Sequence, residues 1–264
     1  MNDKINFLMV GDICGEKALE FFCSKLQSVV SENNIDAVIV NGENIAGGFG
    51  ILENHVKALI DCGVDVITGG NHSFEKRDIY PVLQSTSNLL RPANYPDSSS
   101  VPGKGFVVIQ KENFKFAVIN LQGREFMTNL DCPFKWCDSF FASEVLKEKM
   151  PILVDFHAES NQEKEALGLY LDGKVSCLCG THTHVQTADA KILPKGTAYT
   201  TDLGFTGPSN SVIGSKREQS IERNFSQVLV KLECADSPFE IDCAVISVDK
   251  ESCLSTSIKT LRIV

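Results

Sequence analysis

The chain of 264 residues has no basic run, no long apolar stretch and no Cys-x-x-Cys pair. Each absence excludes something. Without a Lys/Arg-rich segment, and at a formal net charge of −9, the surface has no footprint for duplex DNA or an anionic membrane, both held chiefly by basic patches. A small anionic substrate stays open, because metal ions can supply the positive charge that the composition lacks. No stretch approaches the ~18 apolar residues of a membrane span. The N-terminus, Met1-Asn2-Asp3-Lys4 followed by Ile5–Val10, is too short in apolar residues for a secretory leader and is cut by Gly11-Asp12. The expectation is a cytoplasmic protein. With no leader and no zinc-type spacing, the ten cysteines read as reduced thiols, many of them buried as small hydrophobes. Cys177 and Cys179 fall on a strand, and Cys132 and Cys137 in an irregular stretch.

What is present is an ordinary globular composition, long enough to bury a sizeable core and short enough for a single domain over 1–264. There is no internal repeat, low-complexity tract or linker. The apolar runs Ile5–Val10, Ala37–Val40 and Val64–Thr68 read as buried strands. Helical spacing joins them at Ala18–Val30 and at Val56–Cys62, with Gly63 as a C-terminal stop. Strand–helix alternation of this kind implies parallel pairing. Farther on, Gly105–Gln110 and Lys115–Asn120 read as a hairpin. Ile152–Phe156 and Val175–Cys179 read as strands around a helix at Gln162–Leu171. Ala198–Thr201, Val228–Leu232, Ile241–Val248 and Ser255–Arg262 read as further strands. A parallel-leaning first half and a strand-rich second half suggest two sheets packed face to face with helices outside. The loops Tyr95–Lys104 and Gly207–Gly214, rich in Pro, Gly and Ser, are placed to border a site. Apolar and aromatic residues between Asp131 and Phe141 would serve a homo-oligomer.

The chemistry concentrates directly after the apolar runs. Asp12, Glu43-Asn44, Asn71-His72, His157 and His182/His184 all sit there, and in open α/β sheets ligands bind beyond the carboxyl ends of the strands. Four of the five histidines take these positions; the fifth, His55, reads as a surface side chain on a helix. Taken singly each has a bland reading: Asp12 as a helix cap, Asn-Gly-Glu-Asn as a turn, His157 as a hydrogen-bonded structural histidine. Gly180-Thr181-His182-Thr183-His184 is more specific, since histidines two apart in extended chain point the same way, roughly 7 Å apart. Together Asp12, Glu43, Asn71, His157, His182 and His184 form a nitrogen and oxygen set without sulfur. Such a set suits Mn, Fe or Zn and is too rich in imidazole for Mg or Ca. Six ligands are too many for one tetrahedral ion and suit two ions ~3.5–4 Å apart, the usual device for displacement at phosphorus.

In order and spacing, Gly11-Asp12, Gly42-Glu43-Asn44, Gly70-Asn71-His72, His157 and Gly180–His184 resemble the motifs of the calcineurin-like metallophosphoesterases. More narrowly, Arg91-Pro92-Ala93-Asn94, Val118–Arg124, Asp155–Glu159, Thr183–Asp189 and Leu193–Tyr199 resemble those of the YmdB-type bacterial phosphodiesterases. Asp12-Ile13-Cys14 stands where the wider superfamily has Asp-x-His, with Cys14 more naturally a buried thiol than a ligand. Glu43 stands where that superfamily has a bridging Asp. Both departures are shared with the narrower branch.

The resemblance implies a four-layer α/β/β/α sandwich of the metallophosphoesterase type, two divalent metal ions, most readily Fe or Mn, and hydrolysis of 2′,3′- or 3′,5′-cyclic nucleotides. On that reading Glu43 bridges the metals, Asp12 and His184 complete one site, and Asn71, His157 and His182 the other. Asn44 binds metal or orients the phosphate, a metal-activated hydroxide attacks phosphorus, and His72 protonates the departing ribose oxygen. A regulatory nucleotide-binding module with little turnover and a phosphomonoesterase are the rival readings.

Overall fold

The run Lys4–Val10 is apolar nearly throughout because it is buried on both faces: Ile5, Phe7 and Met9 enter one core cluster, Leu8 and Val10 another. The computed structural model describes residues 3–98, 100–143, 148–236 and 238–264. Met1 and Asn2 of the N-terminal reading and Ser99 of the loop 95–104 lie outside them. The first part of the chain forms strand β1 (Lys4–Val10), β2 (Asp12–Ile13), helix α1 (Glu16–Asn33), β3 (Ala37–Asn41), α2 (Glu53–Cys62), β4 (Val66–Thr68) and α3 (Tyr80–Ser85). The middle adds β5 (Phe106–Gln110), β6 (Lys115–Gln122), α4 (Pro133–Ala142), β7 (Ile152–His157), α5 (Asn161–Tyr170) and β8 (Cys177–Thr181). Then follow β9 (Lys191–Ile192), β10 (Ala198–Thr200), β11 (Phe205–Pro208), α6 (Arg217–Ser226), β12 (Phe239–Asp249) and β13 (Ser255–Ile263).

Two sheets result. One runs β2-β11-β12-β1-β3-β4 with β13 also on β12, and the other β5-β6-β7-β8-β10-β9. Strand parity sorts the side chains into three cores. Phe7, Met9, Ile39 and Val66 of the first sheet meet Phe116, Val118, Leu153, Cys177 and Cys179 of the second. The opposite face of the first sheet takes Leu19, Phe22 and Leu26 of α1 with Val56 and Leu59 of α2. The opposite face of the second takes Cys137 and Phe140 of α4 with Leu167 of α5. The layers are therefore α/β/β/α, as the resemblance implied.

Several expectations are corrected. Two sheets packed face to face are as expected, but parallel pairing is not confined to the first half of the chain. β11, β12 and β13 complete the sheet that β1 begins, while β6, β7, β8 and β10 of the second sheet are mutually parallel. Val228–Leu232 is not a strand: Val228 and Leu229 are exposed and outside both sheets, and the preceding residues form α6. Cys132 and Cys137 belong to a helix, Cys132 as its N-cap with Pro133 at the first position, where its missing N–H costs nothing. His55 is buried at 4% exposure, its Nδ1 accepting from the Leu52 amide at 3.3 Å. Burial holds its pKa below the ordinary value.

The aromatics of 131–141 lie on α4 and at its end, Phe140 buried and the other three half-buried. Phe140 is in the outer core, with Phe134, Trp136 and Phe141 packed against it. All ten cysteines are free thiols, six of them buried. No helix among the described residues is long and apolar enough to cross a membrane.

Phe7 sits at the centre of the inter-sheet core, its ring 5.2 Å from that of Phe116 and 6.2 Å from that of Phe114. Phe7→Ala is expected to cost about 3–5 kcal/mol, read as a lowered urea midpoint with an unchanged slope.

Candidate metal centre

The inner faces of both sheets turn polar at one end. Continuing the alternation that sends Ile39, Val66, Val118, Leu153 and Cys179 between the sheets, the next inward positions are Asn41, Thr68, Asn120, Asp155 and Thr181. His157 follows Asp155 with the same parity at the end of β7. Glu43 and Asn44 come just after β3, Asn71 and His72 after β4, and His182 and His184 after β8. Asp12 opens β2, whose turn from β1 is fixed by the Gly11 amide on the Asp242 carbonyl at 3.1 Å. Gly70 is required by contact: a Cβ there would lie 2.2 Å from the His157 ring.

The protons can be assigned from the partners. Thr181 Oγ1 donates to Asp155 Oδ1 at 2.7 Å, so it accepts from the His157 Nδ1–H at 3.0 Å, leaving His157 Nε2 with a bare lone pair. His182 has its Nε2 3.1 Å from Glu159 Oε2, which places its proton there and frees Nδ1. Around His157 Nε2 then lie Glu43 Oε1 at 2.9 Å, Asn71 Oδ1 at 2.9 Å and His182 Nδ1 at 3.0 Å. With Glu43 ionised, four lone pairs face one point with no hydrogen among them. Only a cation makes that arrangement attractive, and the set fits a divalent one. The ligand atoms of Glu43, His157 and His182 all lie within 4.8 Å of one another.

Asp12, Asn44 and His184 are close by but outside this tight group. Asp12 Oδ2 accepts from the His182 amide at 3.1 Å, while its Oδ1 is 3.7 Å from His157 Nδ1 and makes no hydrogen bond. His184 Nδ1 donates to the Ile213 carbonyl at 2.9 Å, so its Nε2 carries the lone pair, 2.9 Å from Asn44 Nδ2. Asn44 Oδ1 is buried without a partner. These orphaned oxygens and the His184 nitrogen could hold a second cation. His182 and His184 both adopt positive φ, 100° and 61°, and strain of this kind persists where the surroundings enforce it.

His72 is not a member of either group. Its amide donates to Glu43 Oε2 at 3.0 Å, and its ring Nδ1, 3.5 Å from Glu75 Oε2, makes no hydrogen bond. Cys14 is directed elsewhere: its hydrogen bond with Cys234, and burial, push its thiol pKa up. A pocket of about 220 Å³ opens over Glu43, Asn44, His72, His182 and His184, and Ile213 of the 207–214 loop lies on its wall.

Electrostatics agree with the donor assignment of the two imidazoles. Burial drives His157 and His182 down to about 4, so both are neutral ligands-in-waiting near neutral pH. Burial also lifts Asp12 to about 7 and raises Glu43. Two carboxylates desolvated beside neutral imidazoles lack the positive charge that would hold them ionised.

Residues 8–261 match the family described as YmdB-like protein. The chain belongs to that family. Among its relatives is the 2′,3′-cyclic-nucleotide 2′-phosphodiesterase of Bacillus subtilis, 40% identical over 259 residues, 98% of this chain and 97% of the relative. Two solved structures share the fold over almost their whole length. A novel phosphatase from Mycoplasma pneumoniae superposes with a TM-score of 0.91 at 33% identity, covering 100% of this chain and 94% of its own. A hypothetical protein from Thermus thermophilus superposes with a TM-score of 0.89 at 34% identity, covering 98% of each chain. The fold of this YmdB-like chain is that of the metallophosphoesterases.

Four residues around the centre, three of them inside the quoted motifs, have roles that the motifs do not declare. Asp155 accepts from Asn41 Nδ2 at 3.1 Å and from the Thr68 hydroxyl as well as from Thr181, and burial still raises it to about 7. Thr181 passes that anchorage to His157. Glu159 fixes the His182 tautomer. Lys164, fully buried, holds Asp202 at 2.7 Å, and Asp202 receives the Thr183 amide at 3.1 Å and so shapes the 182–184 loop. Beyond their places in the motifs, the signals were a lone acid inside Val154-Asp155-Phe156, in step with His157, and a threonine preceding His182. Lys164 has no such signal within its helix.

Thr181→Val removes the acceptor that fixes the His157 proton. Metal affinity is expected to fall about 10–100-fold with the fold retained, measured by metal content after dialysis against graded chelator and by circular dichroism.

Proposed function

We propose that the chain is a dimetal phosphodiesterase that hydrolyses cyclic nucleotides, 2′,3′- or 3′,5′-, or related phosphodiesters. The observation that carries this reading is the convergence of four unprotonated donors on one point, beside a second set of orphaned oxygens, under an open pocket. The named activity of the Bacillus subtilis relative supports the substrate class. Glu43, Asn71, His157 and His182 would hold one ion and Asp12, His184 and Glu43 the other, while Asn44 would turn its amide to a metal or to the phosphate. Manganese or iron best suits this mixed nitrogen and oxygen set, with zinc next.

When bound, the two ions supply Lewis acidity to the phosphoryl oxygens and a water acidic enough to lose its proton near neutral pH. The protein does the rest. The Thr181 and Glu159 contacts hold the imidazoles in the tautomers that leave their inner nitrogens bare. His72, whose ring nitrogen is free of hydrogen bonds, carries the proton to the departing ribose oxygen. Among the described residues, Arg223 is the only Lys or Arg on the pocket wall, which favours a singly charged diester over a doubly charged monoester.

The whole chain acts as one domain, since strands from its last third complete the sheet begun by its first. Its free thiols fit a reducing cytoplasm.

The test is hydrolysis of 2′,3′-cyclic AMP by protein reconstituted with Mn²⁺, against a chelated control. Chelator-sensitive turnover is expected; no turnover with metal bound would reject the enzyme reading. His72→Ala should lower kcat about 10²–10⁴-fold while keeping full metal content by elemental analysis, and loss of metal would make His72 a ligand instead.

A further inference from the structure

The pocket has a second wall that the metal ligands do not explain. Beyond Asn44 the chain makes a tight loop, with the Ala46 amide on the Gly50 carbonyl at 2.8 Å and the Gly47 amide on the Ile45 carbonyl at 2.9 Å. Gly47, Gly48 and Gly50 adopt φ of 63°, 92° and 84°, a left-handed path that side chains disfavour. The Gly47 amide is further held by Glu16 Oε1 at 3.1 Å. This closed glycine loop holds up one large side chain. Phe49 stands 44% exposed on the pocket wall, its ring centroid 5.0 Å from that of His72 at an interplanar angle of 76°. Ile213 and Leu232 add apolar surface to the lining.

An exposed Phe by itself has no message. This one stands at a restricted place: on a loop anchored by its own backbone, in contact with the residue that delivers the leaving-group proton, on the wall of the pocket over the ligands. In a 2′,3′-cyclic nucleotide the base is attached at C1′, the carbon next to the one that bears the 2′ oxygen. A phosphate seated over the ligands with its leaving oxygen towards His72 therefore brings the base to the side where Phe49 stands. Every nucleobase has a π-face, and stacking on an aromatic ring needs no hydrogen-bond code.

Resting on the phosphodiesterase reading above, we propose that Phe49 is the residue on which the nucleobase stacks, and that it sets a preference for nucleotides over base-free cyclic phosphodiesters. Its role is binding and specificity; it touches no reacting atom.

The experiment compares the wild type with Phe49→Ala and Phe49→Trp, each reconstituted with Mn²⁺. The substrates are 2′,3′-cyclic AMP and glycerol 1,2-cyclic phosphate, which keeps the five-membered diester and lacks the base. Phe49→Ala should raise KM for the nucleotide about tenfold, with kcat within about twofold and glycerol cyclic phosphate handled as by wild type. Phe49→Trp should restore the nucleotide KM. Equal losses on both substrates would mean that the ring acts through His72, and no change on either would mean that it does nothing; both overturn the proposal. Calorimetric binding of adenosine 3′-phosphate to the same proteins keeps the question answerable when wild type turns over neither substrate. About tenfold weaker binding by Phe49→Ala then supports stacking while the phosphodiesterase reading falls, and equal affinity rejects stacking as well.

Discussion

One buried carboxylate ties the two sheets to each other and to the chemistry between them. Asp155 accepts from Asn41 and Thr68 of the first sheet and from Thr181 of the second, at the level where the apolar core ends. A charge so desolvated is costly unless several donors meet it, and here the donors come from both layers. The same contact decides the His157 tautomer through Thr181. Register between the sheets and readiness of the centre are thus consequences of one interaction, and a shift of either sheet would be felt as a proton on the wrong nitrogen.

This also explains how an acidic chain can offer a site for a phosphoester. Among the described residues the pocket wall has a single cationic side chain, Arg223. The protein buries Asp12 and Glu43 where only a multivalent ion can satisfy them, and it keeps His157 and His182 neutral by desolvation. The field that would attract an anionic substrate would then be lent chiefly by metal. Lys164, the one fully buried lysine among the described residues, is committed to Asp202.

Much of this could be read in the amino acids, for definite reasons. β1, β3 and β4 announce themselves because burial on both faces makes a strand apolar at every position, and the ligands stand out because each interrupts such a run at its end. α6 and the segment after it were not legible. Val228-Leu229-Val230 has the composition of a strand, and only the tertiary structure shows that it joins neither sheet, whereas β11, carrying Gly207 and Pro208, looks like a turn and does pair with β12. The residues behind the ligands were hidden for a related cause. Asp155, Thr181 and Glu159 act on their neighbours through contacts across strands and loops, and nothing in their own spacing declares it. Cys132 to Ala142 shows the converse, a stretch that reads as irregular and is in fact a helix, its Cys137 and Phe140 turned to the core beside it.

The interleaving of the sheets has a consequence for the making of the molecule. β1 lies between β3, which leaves the ribosome soon after it, and β12, which comes near the far end of the chain. Asp12 takes its backbone setting from Asp242 and from β11, and its carboxylate is held by the amide of His182. Until those late segments emerge, a long apolar strand has one open edge and the nascent chain depends on shielding from its neighbours. Asp12, among the first residues of the candidate centre to be translated, is thus among the last to be placed.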